Sequence, residues 1–163
     1  MALEITKENI LSRKFYAATL ADFDRLIEAA ANGSTRAKLD LGKKMEQSVA
    51  NSVIDGVIVG PLAYEPVCRQ ALAIYEELGE AGIVEAMERA VVLYAEGSTN
   101  SRLSVEPGKT PGTTTLVCKP IPDLTKAYQW CARAQQAGSA WAAQTLPKIE
   151  DLIVKDVMRG PHA

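Results

Sequence analysis

Histidine is the usual general acid or base at neutral pH, and the chain has a single one, His162. It falls in Arg159-Gly-Pro-His-Ala163, a stretch that reads as a disordered tail. The three cysteines, Cys68, Cys118 and Cys131, cannot all pair with one another, and their spacings match neither a zinc site nor a CxxC motif. They fit a reducing compartment. A nucleophilic Cys118 or Cys131 is the one enzymatic alternative these residues leave, and it would need an activated thiolate. Carboxylates occur close together as Asp22 and Asp24 and as Glu76 and Glu77. Such near neighbours on a helix point to different sides and form no acid–base dyad. Gly108-Lys109-Thr110 resembles the end of a phosphate-binding loop, but Leu103 stands where the first glycine belongs and Pro111 where a helix should begin. The expectation is a protein without catalytic residues, cofactor or metal, so attention moves to the elements and the surface they present.

The 163 residues are 47% hydrophobic and 23% charged, with a formal net charge of −2. A chain of this length buries roughly 70% of its unfolded surface in one core. The balance of charge gives no basic footprint for a nucleic acid backbone. Acidic and basic residues mix along the chain, as in Glu76, Glu77, Glu80, Glu85, Glu88 and Arg89, which suits solvated helix faces. Neither a signal-peptide core nor a membrane-length apolar run is present, so a cytoplasmic protein is expected, with no nucleic acid and no membrane as partner.

Internal repetition organises the chain. Three segments share the frame Gly-x3-Ala-x3-Leu/Ala: Gly33 with Ala37 and Leu41, Gly82 with Ala86 and Ala90, Gly138 with Ala142 and Leu146. Upstream of each glycine, apolar residues recur at helical spacing: Phe23, Leu26, Ile27 and Ala30; then Val67, Ala71, Ile74, Tyr75 and Leu78; then Leu124, Ala127, Tyr128, Cys131 and Ala134. Downstream, a second amphipathic helix begins, clearest in Ile83, Ala86, Met87, Ala90, Val91 and Tyr94. Each unit therefore reads as helix, glycine turn, helix. The glycine supplies a left-handed residue and the alanine permits close approach of the helices.

Asp123, Ala127, Trp130, Ala134 and Gly138 are spaced so that the chain resembles the Sel1-like repeats, relatives of the tetratricopeptide hairpins; Leu41-Gly42, and Leu93-Tyr94 through Gly97, are similar to the end of that family's first helix. The resemblance implies scaffolding, adaptor or regulatory binding of other proteins. The middle unit lacks the Asp and the Trp, and the turn glycines lie farther apart than one such repeat requires.

The fold expected is all-α: a single domain over 1–158, a short α-solenoid of antiparallel hairpins at about 19–51, 66–97 and 122–157, capped by a helix at about 6–18. Pro147 should kink the last helix or start a new one. Long insertions interrupt the stack at about 49–66 and 98–122, and the second has the turn residues and β-favouring flanks of a small β-hairpin whose edge could take a peptide. The function expected is protein or peptide binding through the groove between hairpins, through the 98–122 insertion, or both, with Arg102, Lys109, Lys119, Tyr128, Arg133 and Trp141 as contact residues. Trp130 reads as core. The alternatives are an antidote that inhibits a toxin enzyme, the cysteine enzyme above, and a self-associating structural subunit.

Overall fold

The computed structural model describes the backbone of residues 24–50, 53–54, 57–58 and 61–160; the expected cap helix at 6–18 and His162 lie outside these. Helix dominates. Residues 24–31 (α1) and Thr35–Ala50 (α2) form the first pair, Pro61–Glu80 (α3) and Val84–Glu96 (α4) the second, Leu124–Gln136 (α5) and Ala140–Met158 (α6) the third. Two short strands, Val53–Ile54 (β1) and Val57–Ile58 (β2), pair antiparallel between α2 and α3. Ser101–Pro107 (β3) and Thr114–Pro120 (β4) do the same between α4 and α5.

The turn inside each pair is built the same way three times. Gly33, Gly82 and Gly138 have φ of 89°, 90° and 98°. In each, the glycine N–H donates to the carbonyl three residues back, and the next N–H to the carbonyl five back: Gly33 to Ala30 and Ser34 to Ala29, Gly82 to Gly79 and Ile83 to Leu78, Gly138 to Gln135 and Ser139 to Ala134. This closes the first helix on a left-handed residue and satisfies its last carbonyls. The following residue starts the second helix. Ser34 Oγ accepts from the Ala37 N–H and Ser139 Oγ from the Ala142 N–H, each a serine N-cap, whereas Ile83 offers no side-chain cap. The alanine of the repeated frame is thus the third helical residue, and Ala37, Ala86 and Ala142 are all buried.

Helices pack on their neighbours in chain order, α2 on α3, α3 on α4, α4 on α5 and α5 on α6. Their register is readable from single contacts. Lys38 reaches Glu77 while Glu46, further along α2, reaches Tyr75, so α2 and α3 run antiparallel. Tyr94 at the end of α4 accepts on its carbonyl from the Asp123 N–H at the start of α5. Counted from the first turn glycine, the residues at +5 and +9 of α2, Lys38 and Gly42, meet Glu77 and Tyr75 of the next pair, while Met87 of α4 and the Trp130 ring of α5 both lie beside Gly79. The core collects around Ala71, Tyr75, Ala86, Ala90, Val91, Ala127, Cys131 and Ala134, each at most 1% exposed.

Several boundaries differ from the sequence expectation. α3 begins at Pro61, not at about 66, because proline is well placed at a helix's first position, where an N–H has no partner to lose. The first connection is correspondingly shorter. α6 stays helical through Pro147; residues 143 and 147 are both exposed, so water can reach the Ala143 carbonyl left without an N–H donor. Arg159 and Gly160, expected in a tail, close α6 instead, with N–H bonds to the carbonyls of Lys155 and Val157. Ile27, placed inward by periodicity, is 49% exposed, and Tyr128 turns outward as well.

The β3–β4 ribbon leaves and re-enters the helices at one point. The Ile121 N–H donates to the Asn100 carbonyl at 2.8 Å, and Gly97 (φ 71°) comes so close to Ile121 and Pro122 that a Cβ there would sit 2.6 Å from the Ile121 carbonyl carbon. At the tip, the Gly108 N–H donates to the Thr113 carbonyl. Gly108-Lys109-Thr110 is therefore a hairpin turn with a strand, not a helix, after it, and the likeness to a phosphate loop ends there.

Candidate functional site

A groove of about 550 Å³ lies where α3, α4 and α5 meet. Trp130 forms its floor. The indole can come close to α3 because residue 79 is glycine; a Cβ at that position would stand 2.6 Å from the ring. Arg133, one turn further along α5, stacks its guanidinium 4.4 Å from the centre of the Trp130 ring and donates two hydrogen bonds to Glu80, at 2.7 and 3.0 Å. These bonds hold the Glu80 carboxyl below its ordinary range and raise Arg133. Both side chains remain open to solvent, 41% for Arg133 and 65% for Glu80, so the pair is exchangeable and contributes little to stability.

A second set of cation, ring and carboxylate lies two turns earlier on α5 and one turn earlier on α3, with the ring in place of the cation at its middle. Lys126 sits 5.5 Å from the centre of the Tyr94 ring, and the Tyr94 hydroxyl donates to Glu76 at 2.6 Å. Burial, then the bond to Glu76, pushes the Tyr94 hydroxyl up from its usual range. The groove thus presents two sets of cation, ring and carboxylate side by side, Trp130–Arg133–Glu80 and Lys126–Tyr94–Glu76, with Tyr128 and Gln129 also lining it.

Of the six residues expected at a binding surface, Tyr128 and Arg133 line this groove. Trp141 is 38% exposed at the start of α6, beside the third turn, and lines neither this groove nor the smaller one described below. Arg102 and Lys119 are direct partners across the β3–β4 ladder, and Lys109 is exposed at the ribbon's tip. These three basic residues lie on the ribbon, apart from the groove's lining residues. Sequence reasoning missed Glu76, Glu80, Tyr94 and Lys126; the only signal was the four-residue spacing of the two glutamates and the seven-residue spacing of Lys126 and Arg133, which place each pair on one helix face. A smaller groove of about 400 Å³, with Ile121, Ile153 and Val157 among its lining residues, runs between the ribbon base and α6.

A buried polar cluster joins the first two hairpins. Glu46, only 13% exposed, accepts from Arg89 Nη2 at 2.6 Å and Nε at 3.1 Å and from the Tyr75 hydroxyl. The Tyr75 ring has room because residue 42 is glycine, whose Cβ would lie 2.7 Å from the ring. Burial and the Glu46 bond raise the Tyr75 hydroxyl far above its ordinary range. Burial pulls the Arg89 guanidinium down, but the bonds to Glu46 and Tyr75 outweigh it and the net direction is up. All three groups are satisfied by one another, which makes this a structural junction.

Cys131 is fully buried, its thiol donating to the Ala142 carbonyl, and burial raises its pKa. Cys68 is 2% exposed, and burial, with the charges of Glu46 and Glu96, pushes it from 9.0 to about 11. Both thiols are buried and held toward the protonated form, the opposite of the environment that activates a thiolate. Because the folded state holds the Cys68 proton more tightly than the unfolded chain, the associated stability is fully present below pH 9 and is lost as pH rises toward 11; the raised tyrosines act in the same sense above about pH 10. Urea midpoints should therefore fall between pH 8 and pH 10.5, and the fall should be smaller in Cys68→Ala than in the parent chain. Among the described residues no cluster of three or more His, Cys, Asp or Glu side chains could hold a metal, and no helix is long and apolar enough to cross a membrane.

No family model matches the chain, and neither curated proteins nor solved structures show a significant similarity to it.

Proposed function

We propose that the chain is a protein-binding adaptor or regulator, built as a short α-solenoid of Sel1-like hairpins, whose recognition surface is the groove between α3, α4 and α5. The observation that carries this reading is the two sets of cation, ring and carboxylate that line the groove over the buried Trp130 and Tyr94 rings. Rings and arginine on a rigid base lose little side-chain freedom on binding and dominate the energetics of protein contacts. The repeated glycine turns support the solenoid assignment, since they give the three hairpins one construction. The buried, protonated thiols suit a reducing compartment such as the cytoplasm.

The test is affinity capture from the source cells with three proteins: the parent chain, an Arg133→Glu/Tyr128→Ala variant, and a variant in which residues 101–120 are replaced by a two-residue Gly-Ser linker. The groove variant should weaken the captured complex by at least about tenfold, because the substitutions remove an exposed ring from the groove's lining and reverse the charge stacked on Trp130. The linker variant should keep the parent's helical circular dichroism, since Asn100 and Ile121 already touch. It should also keep the partner. Loss of the partner with the linker variant alone would place recognition on the basic ribbon instead. A single captured enzyme that loses activity on mixing would make the regulator an antidote.

A further inference from the structure

The two halves of the Arg133–Glu80 pair are held very differently. Arg133 is fixed by more than its charge: the guanidinium stacks 4.4 Å from the centre of the Trp130 ring, and that ring is 6% exposed and seated where Gly79 leaves room for it. Glu80 has no second anchor. Among the described residues its only polar partner is Arg133, and its side chain is 65% exposed. Exposed ion pairs are worth little in water, so a carboxylate from outside can take the place of Glu80 at small cost while the guanidinium keeps its stack. The converse exchange, a foreign cation for Arg133, would break the stack as well as both hydrogen bonds. The cheap exchange is therefore of anion for anion.

Lys126 extends the same preference along α5. It lines the groove seven residues before Arg133, about 10 Å along the helix. Its ammonium lies over the Tyr94 ring and holds no carboxylate among the described residues. Glu76, the other carboxylate of the groove, already accepts from the Tyr94 hydroxyl.

We propose that Glu80 occupies, in the free chain, the place of a partner's carboxylate, and that the groove takes a protein segment bearing two carboxylates about 10 Å apart, one for Arg133 and one for Lys126. The proposal rests on the groove being the recognition surface. Residues three apart in an extended chain span that distance, so an acidic Glu-x-x-Glu stretch is the simplest such segment. A carboxylate suits the place better than a phosphate, because the guanidinium already holds one carboxylate by both oxygens and a dianion would stand beside Glu76 and Glu80.

Two blocked tetrapeptides, Glu-Leu-Leu-Glu and Lys-Leu-Leu-Lys, test this by NMR titration of the full chain. The Trp130 indole N–H is the reporter, and Trp141, which lines neither groove, is the reference within the molecule. The glutamate peptide should move the Trp130 signal saturably and leave Trp141 still, and the lysine peptide should move neither. Glu80→Gln should tighten the glutamate peptide by about two- to fivefold, the worth of an exposed ion pair that no longer has to be broken. Arg133→Lys, which keeps the charge and loses the fork, and Lys126→Ala should each weaken it by at least about threefold. The sign for Glu80→Gln separates this from a groove in which Glu80 is itself a contact, where its loss would weaken binding. A lysine peptide that moves the Trp130 signal as far overturns the inference. So do a Glu80→Gln variant that binds no more tightly, inorganic phosphate that acts at lower concentration than the glutamate peptide, and a Trp130 signal that neither peptide moves. Recognition at the groove fails separately, if the Arg133→Glu/Tyr128→Ala variant captures its partner as well as the parent does.

Discussion

Glu46→Ala is expected to lower the unfolding free energy by about 2–4 kcal/mol, measured as a shift of the urea midpoint at unchanged slope. The substitution removes the acceptor shared by Arg89 and Tyr75, and Tyr75 is fully buried, so its hydroxyl loses its partner where water cannot replace it. The lower part of the usual range for a broken buried pair applies because the Arg89 side chain is 37% exposed and recovers some hydration. Glu46→Gln retains an oxygen for Tyr75 while losing the charge, and should cost about half as much. Because the cluster joins α2 to α3 and α4, hydrogen exchange in Glu46→Ala should speed up first in α2 and last in α5.

Gly97→Ala should cost at least about 3 kcal/mol, from a left-handed backbone combined with overpacking. The added Cβ would meet the Ile121 and Pro122 backbone at 2.6–2.7 Å, and a main-chain segment anchored by the Asn100–Ile121 and Tyr94–Asp123 hydrogen bonds cannot step aside cheaply. Gly82→Ala is the matched control. It shares a positive φ but has no atom within 4 Å of the new Cβ, so about 1–2 kcal/mol is expected, from backbone strain alone. If the two variants unfold at the same urea concentration, the close approach at Gly97 contributes nothing.

The hairpin turns were legible in the sequence because everything they need is local. A glycine that ends a helix, a serine or its substitute that starts the next, and an alanine three residues later all lie within one short window, and Gly33, Gly82 and Gly138 were identified from that frame. The groove was not legible in the same way. Glu80 and Arg133 are 53 residues apart, and neither belongs to a periodic pattern that singles it out. Trp130 could be read as core, but that Gly79 makes room for it could not, since a glycine inside a helix carries no signal of what lies above it. The prolines misled in opposite directions. Pro61 starts a helix that the apolar pattern placed five residues later, and Pro147 lies in a helix that its chemistry should interrupt, because whether a missing hydrogen bond matters depends on access to water. Tyr128 shows the limit of periodicity, which assigns a residue to a helix side without saying whether another helix covers that side.

The closing of the β3–β4 ribbon at its own base bears on how such a chain can change over time. Since the helices meet through Tyr94 and Asp123 whether or not the ribbon is there, mutations, insertions and deletions between residues 101 and 120 are felt by the ribbon and hardly by the core. That stretch can be tried against new partners at little risk to folding, while the glycines at 42, 79 and 97, each holding a place that one extra carbon would fill, are fixed by the packing around them.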